Sequence, residues 1–268
     1  MRRIVVGRML TAVVVAVGLT LAGGPVAAAH GGRARALTCT GGEIPSGSYS
    51  SITVKGACQV AAGAVIKVSG GITVWPGATL DAQSSPSTIT VGKGVLALKG
   101  SFLGLGCQPA ALMGNSAHPC VDADGNPIED PSVFSTITVK GSIIAARPAV
   151  VLINGLTVGG DVTVVGGGSP VIPWSVKNNT IKGNLHVSHV TTNWFGALFN
   201  KVGKNLTLWN IVLVEDHPGA AGVVYVVQNQ IRRNLICKGL PGVSGGFVPG
   251  AVNTVGGKAL GQCAGLAG

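Results

Sequence analysis

The sequence predicts an all-β fold, a single right-handed parallel β-helix (solenoid) of about nine to ten coils of roughly 20–25 residues each. Three observations point there. A phrase recurs: NTIKGNLHV at 179–187 returns as NKVGKNLTL at 200–208, as NQIRRNLIC at 229–237, and more loosely as NTVGGKA from Asn253. Within each copy apolar and polar residues alternate with period two between glycines, the pattern of short half-buried strands. The composition agrees, because 43 Gly and only 10% charged residues supply many tight turns and few polar helix faces.

Before the repeats begin, residues 1–29 read as a cleaved signal peptide. Arg2, Arg3 and Arg8 make a basic start, Met9 to Ala22 is a short apolar run, and Ala27-Ala28-Ala29 offers a small-residue cleavage site, so the mature chain is expected to begin at His30. The Arg pair leaves twin-arginine export open beside the general secretory route. No later stretch approaches the roughly 20 apolar residues of a transmembrane helix. Secretion, or retention at the cell wall by contacts, is the expected location. Removing the leader takes three of the 19 Lys and Arg and none of the nine Asp and Glu, leaving a net charge of +7. Such a charge favours acidic partners and equally serves solubility.

Aligning on the third place of the phrase gives nine copies: Val54, Val68, Val91, Val139, Val158, Ile181, Val202, Ile231 and Val255. One interval, from Val91 to Val139, is 48 residues and reads as two units or as one unit plus an insertion. Four and six places on stand further small or apolar residues, from Cys58 and Val60 to Ala259 and Gly261. Two places after the alignment residue, between it and the next apolar one, stand Lys93, Lys204, Arg233 and otherwise Gly. A straight strand would bury those cations without partners, so the chain is expected to turn a corner there, with Gly or the following Asn in the left-handed conformation.

Two places before the alignment residue, Ile52, Ile66, Ile89, Ile137 and Leu156 give way to Asn179, Asn200, Asn229 and Asn253. Coils stacked in register would bring those Asn about 4.8 Å apart, close enough for their amides to bond as a ladder. The place between, from Thr53 and Lys67 to Gln230 and Thr254, is always polar and should face solvent.

This apolar, polar, apolar, corner, apolar, polar, apolar order resembles the parallel β-helix of pectate-lyase-like proteins and of polymer-forming bactofilins, over Ser51 to Cys263. NTIKGNLHV and the ending NTVGGKALGQC look like secreted proteins of high-GC Gram-positive bacteria whose Asn- and Gly-rich coils end in a Cys. That resemblance implies the fold and an extracellular setting. It implies no activity. Residues 51–268 are accordingly assigned to the solenoid, with 30–50 as a polar lead-in covering its open end and 107–131 as an insertion rich in Pro, Asp and Gly.

Six Cys in an exported chain predict disulfides. Of the 15 pairings, the sequential set is favoured: Cys39 with Cys58, Cys107 with Cys120, Cys237 with Cys263. A metal site is the alternative, without a C-x-x-C to support it.

Other candidate sites are sparse. VDADGNPIED gathers Asp122, Asp124, Asn126, Glu129 and Asp130 in the opening pattern of a calcium loop, but Pro127 and Val133 stand where Gly and the closing Glu belong, so an acidic turn is expected instead. His186 and His189 point to opposite sides if their segment is a strand, which argues against a metal pair. Trp75 and Trp209 share one outward place. With Trp194, Phe195, Lys201 and Lys204 nearby in sequence, the second could belong to a flat platform for sugar rings or a partner protein, unless a loop covers it. Glu215 and Asp216 in EDHPG form the one local acid pair outside the insertion and are the only candidates for glycoside-cleaving chemistry, which requires clustered carboxylates.

No nucleophile elbow, P-loop or dinucleotide fingerprint occurs, no cofactor is implied, and nothing marks a nucleic-acid reader. The functional expectation is a secreted, non-enzymatic structural or adhesion β-helix that contacts anionic wall polymer, glycan or another surface protein. A carbohydrate-active enzyme of the same fold and a self-associating filament former are the alternatives.

Overall fold

A computed structural model describes residues 34–109, 118–214, 222–246 and 252–268. The leader expected over residues 1–29, and the mature start at His30, lie outside them. The described chain is a parallel β-solenoid: successive coils lay strands on three walls, every long ladder is parallel, and the one helical element among these residues is a 3₁₀ turn at Ala264–Leu266. No helix among them is long and apolar enough to cross a membrane. One coil shows the plan. Thr180–Ile181 lies on the first wall, Leu185–Ser188 on the second after a corner, Thr191–Thr192 bridges, and Phe195–Leu198 forms the third.

Register follows the alternation. Ile181 sits between Val158 and Val202, and Leu185 between Val162 and Leu206. These side chains point inward and are almost wholly buried, whereas Thr180, Lys201 and Gln230 in the intervening place are exposed. The third wall closes the core with its own inward column, including Leu103, Trp174 and Phe195, each at most 1% exposed. Trp174 keeps its indole N–H satisfied by donating to the Ala149 carbonyl at 3.1 Å.

Eight of the nine alignment residues stack as expected, and Val54 does not. Tyr49 lies beside Val68, while Val54 pairs with Val74 on the second wall. Cys58 and Val60 therefore belong to the third wall, with Cys58 beside Leu80. The physical reason is length. Fourteen residues from Val54 to Val68 cannot circle three walls, and Gly47–Val54 runs through the first two as one strand. The 48-residue interval resolves as one coil plus an insertion, because Val91 pairs directly with Val139. Part of the expected lead-in is itself coiled. Arg35–Cys39 pairs with Gly47–Val54, and Gly42–Ile44 with Ala57–Val60.

The corners also differ from expectation. Lys93, Lys204 and Arg233 are exposed at the bend between the first and second walls, as the charge argument requires. Yet the left-handed residues sit elsewhere: Asn178, Phe199 and Gln228 before the first wall, and Arg147, His189 and Asn210 after the second. Glycine at the bend supplies room instead. A Cβ on Gly94 would stand 2.6 Å from the Ser142 carbonyl oxygen of the next coil.

All three sequential disulfides are present, Cys39–Cys58, Cys107–Cys120 and Cys237–Cys263. The first and last tie the two ends of the described stack, where a coil has a neighbour on one side only among the described residues. The middle one closes the base of the insertion, beside the antiparallel contact of Gln108 with His118.

Candidate functional site

Two asparagine ladders run through the C-terminal coils. In the interior one, the backbone N–H and side-chain amide of Asn179 both donate to Asn200 Oδ1, at 3.1 and 3.0 Å. The same pair of bonds joins Asn200 to Asn229 and Asn229 to Asn253. Each amide also donates to a third-wall carbonyl: Ile153, Val176, Ala197 and Val226 in turn. This explains the change from Ile to Asn. Where third wall meets first through a single left-handed residue, as at Gly155, Asn178, Phe199 and Gln228, those carbonyls need an internal donor. Longer connections in the early coils leave the place to Ile66, Ile89 and Ile137.

A second ladder lies at the bend, where the sequence pattern suggested only conformational tolerance. Asp161 Oδ1 accepts from the Asn184 backbone and side-chain amides at 2.6 and 3.0 Å, Asn184 Oδ1 accepts from Asn205, and Asn205 Oδ1 from Asn234. Lys258 N–H closes the series on Asn234 Oδ1 at 2.9 Å. The signal was present as an Asn recurring five places after three of the four interior Asn, with Lys258 in that place after Asn253. Both ladders join successive coils: the interior one is buried, the one at the bend half-buried.

Outward side chains make the accessible chemistry. Trp75 is 45% and Trp209 41% exposed, in one column at the far edge of the second wall. Leu98, Ala146, Val165 and Ser188 separate them along it, so the two rings stand about 24 Å apart at the usual strand spacing. Each has a cation close by: Lys55 Nζ lies 4.0 Å from the Trp75 ring centre and Lys238 Nζ 5.9 Å from that of Trp209. His189 leans on Trp209 with ring centres 5.5 Å apart.

The wider platform does not assemble. Trp194 opens the third wall, where it stacks on Tyr225 at 5.5 Å and packs with Leu198 and Val227. Phe195 is core. Lys201 lies on the first wall and Lys204 at the bend, across the full width of the second wall from Trp209. Neighbours in sequence were separated because three walls divide each coil.

His186 and His189 have separate partners, Ser188 for the first and Trp209 for the second. His186 bonds Ser188 Oγ at 2.9 Å, and burial pushes its pKa down, aided by His189. In the insertion, Asp122 is occupied by its own turn. Its Oδ1 accepts from the backbone N–H of Asp124 at 2.9 Å and of Asn126 at 2.8 Å, and the Asn126 N–H foremost holds its carboxyl below the usual carboxylate range. Among the described residues no group of three or more His, Cys, Asp or Glu could hold a metal ion. Glu215 and Asp216 lie outside the described residues.

No protein-family model, curated protein or solved structure matches this chain.

Proposed function

We propose that this chain is an extracellular, non-enzymatic β-helix that acts by its outer surface, holding anionic wall polymer, glycan or another surface protein. The observation that carries the reading is the contrast between inside and outside. The interior is filled by stacked Val, Ile, Leu and aromatic side chains. Outside, register repeats outward side chains at about 4.8 Å along rigid walls, a geometry suited to an extended repeating partner. The disulfides suit an oxidising compartment. Incubating the mature protein with isolated cell-wall material and a glycan array, beside a turnover screen on acidic polysaccharides, tests this. Saturable binding without turnover is the expected result. Turnover abolished by Glu215→Gln or Asp216→Asn would replace it with the enzyme reading.

A second reading, self-association, has one observation behind it. Ala259–Gly261 pairs with Leu235–Cys237 on one side and with no strand on the other among the described residues. Unpaired edges template further strands. Sedimentation and electron microscopy at high concentration test it, and a monomer throughout would remove it.

A further inference from the structure

We propose that the first wall of the C-terminal coils is a binding groove for an anionic polysaccharide, recognised by regularly spaced carboxylate or phosphate groups. The proposal rests on the surface-binding reading above and assigns it a place. A groove of about 520 Å³ runs across the coils from Thr180 to Thr254, lined by Lys182, Lys201, Gly203, Gln230 and Arg232 among others. Its columns are set by register: Thr180, Lys201, Gln230 and Thr254 stack in order, and Lys182, Gly203, Arg232 and Gly256 follow beside them.

In the second column long cations alternate with glycine. Gly203 therefore leaves the backbone bare between Lys182 and Arg232, which stand two coils apart, about 10 Å at strand spacing. A side chain there has no room, because a Cβ on Gly203 would run into the Lys182 carbonyl. Lys204 and Arg233 add two charges at the adjoining bend. Five cations thus occupy three successive coils.

Nothing in the fold calls for this crowding. An outward place on the first wall needs only to be polar, and Thr157 fills it one coil earlier. None of the five has an ion-pair partner among the described residues. The acid at that bend, Asp161, is committed to the ladder through Asn184. Like charges held on adjacent rungs repel one another, and a polyanion relieves that cost while gaining counterion release. The neutral lining, Thr180, Gln230 and Thr254, offers donors and acceptors for sugar hydroxyls. No aromatic ring lines the groove, so base stacking, on which single-stranded nucleic-acid binding depends, is not provided.

The test uses the full mature chain with its disulfides intact. Binding is measured to polygalacturonate, to a phosphate polymer with a polysaccharide backbone, to neutral dextran and to single-stranded DNA, over a range of salt. The triple variant Lys182→Gln, Lys201→Gln, Arg232→Gln is compared with Arg35→Gln, Lys99→Gln, Arg147→Gln, which removes the same charge from places outside the groove. Thermal melting confirms that both are folded. The groove variant should weaken polyanion binding by about tenfold or more with a shallower salt dependence, and the control by less than about twofold. Stronger binding to polygalacturonate or to the phosphate polymer says which anion the groove takes. Equal losses in the two variants would reduce the effect to net charge and overturn the site, as would tighter binding to DNA than to either polymer. Wall binding that survives in the groove variant would overturn the groove while leaving the surface-binding reading intact. Absence of any polymer or wall binding by the native chain would remove both.

Discussion

Asn200 gives both its backbone N–H and its side-chain amide to Oδ1 of Asn229, each at 3.0 Å, in a site with no solvent exposure. Its own Oδ1 receives the same pair from Asn179, and its second amide hydrogen goes to Val176 O at 2.8 Å. The side chain is fully used. Such a ladder tolerates replacement poorly, since each lost Asn orphans partners on both neighbouring coils.

Asn200→Leu should therefore destabilise the mature protein by about 3 kcal/mol, the cost of leaving two or three buried polar groups unpaired. Asn205→Leu, in the half-buried ladder at the bend, should cost about 1 kcal/mol, because water can reach its partners. Urea unfolding midpoints compare them. Equal losses would mean that burial does not decide the cost.

Leu206 is wholly buried and Thr180 exposed, although each belongs to the same repeated phrase. Leu206→Asp buries an unpaired charge and should cost more than about 4 kcal/mol, enough to prevent accumulation of folded protein. Thr180→Lys should stay within about 0.5 kcal/mol. Similar melting temperatures for the two would refute the inside and outside assignment.

Removing the terminal crosslink with Cys237→Ser and Cys263→Ser opens a 26-residue span and should cost about 3 kcal/mol. The loss should be local first. Hydrogen exchange should rise in Thr254–Val255 and Ala259–Gly261 before the coils around Ile143 and Val162 respond.

Burial lowers the pKa of Lys177 from 10.5 to about 8. The unfolded chain then holds a proton that the folded chain sheds between those values, so folding is penalised below pH 8 and the penalty is released as pH rises toward 10.5. Stability should rise across that window in the native chain and stay flat in Lys177→Met, as read from denaturant midpoints at pH 7.5 and 10. His118, lowered chiefly by burial, works at the acid end. Its unfolded form takes up a proton first as pH falls through about 6.5, so stability declines there.

The candidate surfaces were legible only in part. Trp75 and Trp209 could be placed outside because alternation is local. That Trp194 faces Tyr225, and that Lys201 and Lys204 stand with Lys182, Arg232 and Arg233 instead of Trp209, depends on where the walls divide each coil. The ladder from Asp161 to Asn234 escaped because a recurring Asn beside Gly reads equally as a turn residue.

By itself the sequence determined the period-two strands, the phase of eight coils, the interior Asn column and a plausible disulfide order. Each follows from near neighbours or from repetition. Tertiary structure alone decided that Val54 lies against Val74, that the bend needs room more than left-handed backbone, and which outward side chains share a wall. Those outcomes hang on corner lengths accumulated around a whole coil, and one residue more or less at a corner moves a side chain to another wall without altering the local pattern that announces a strand.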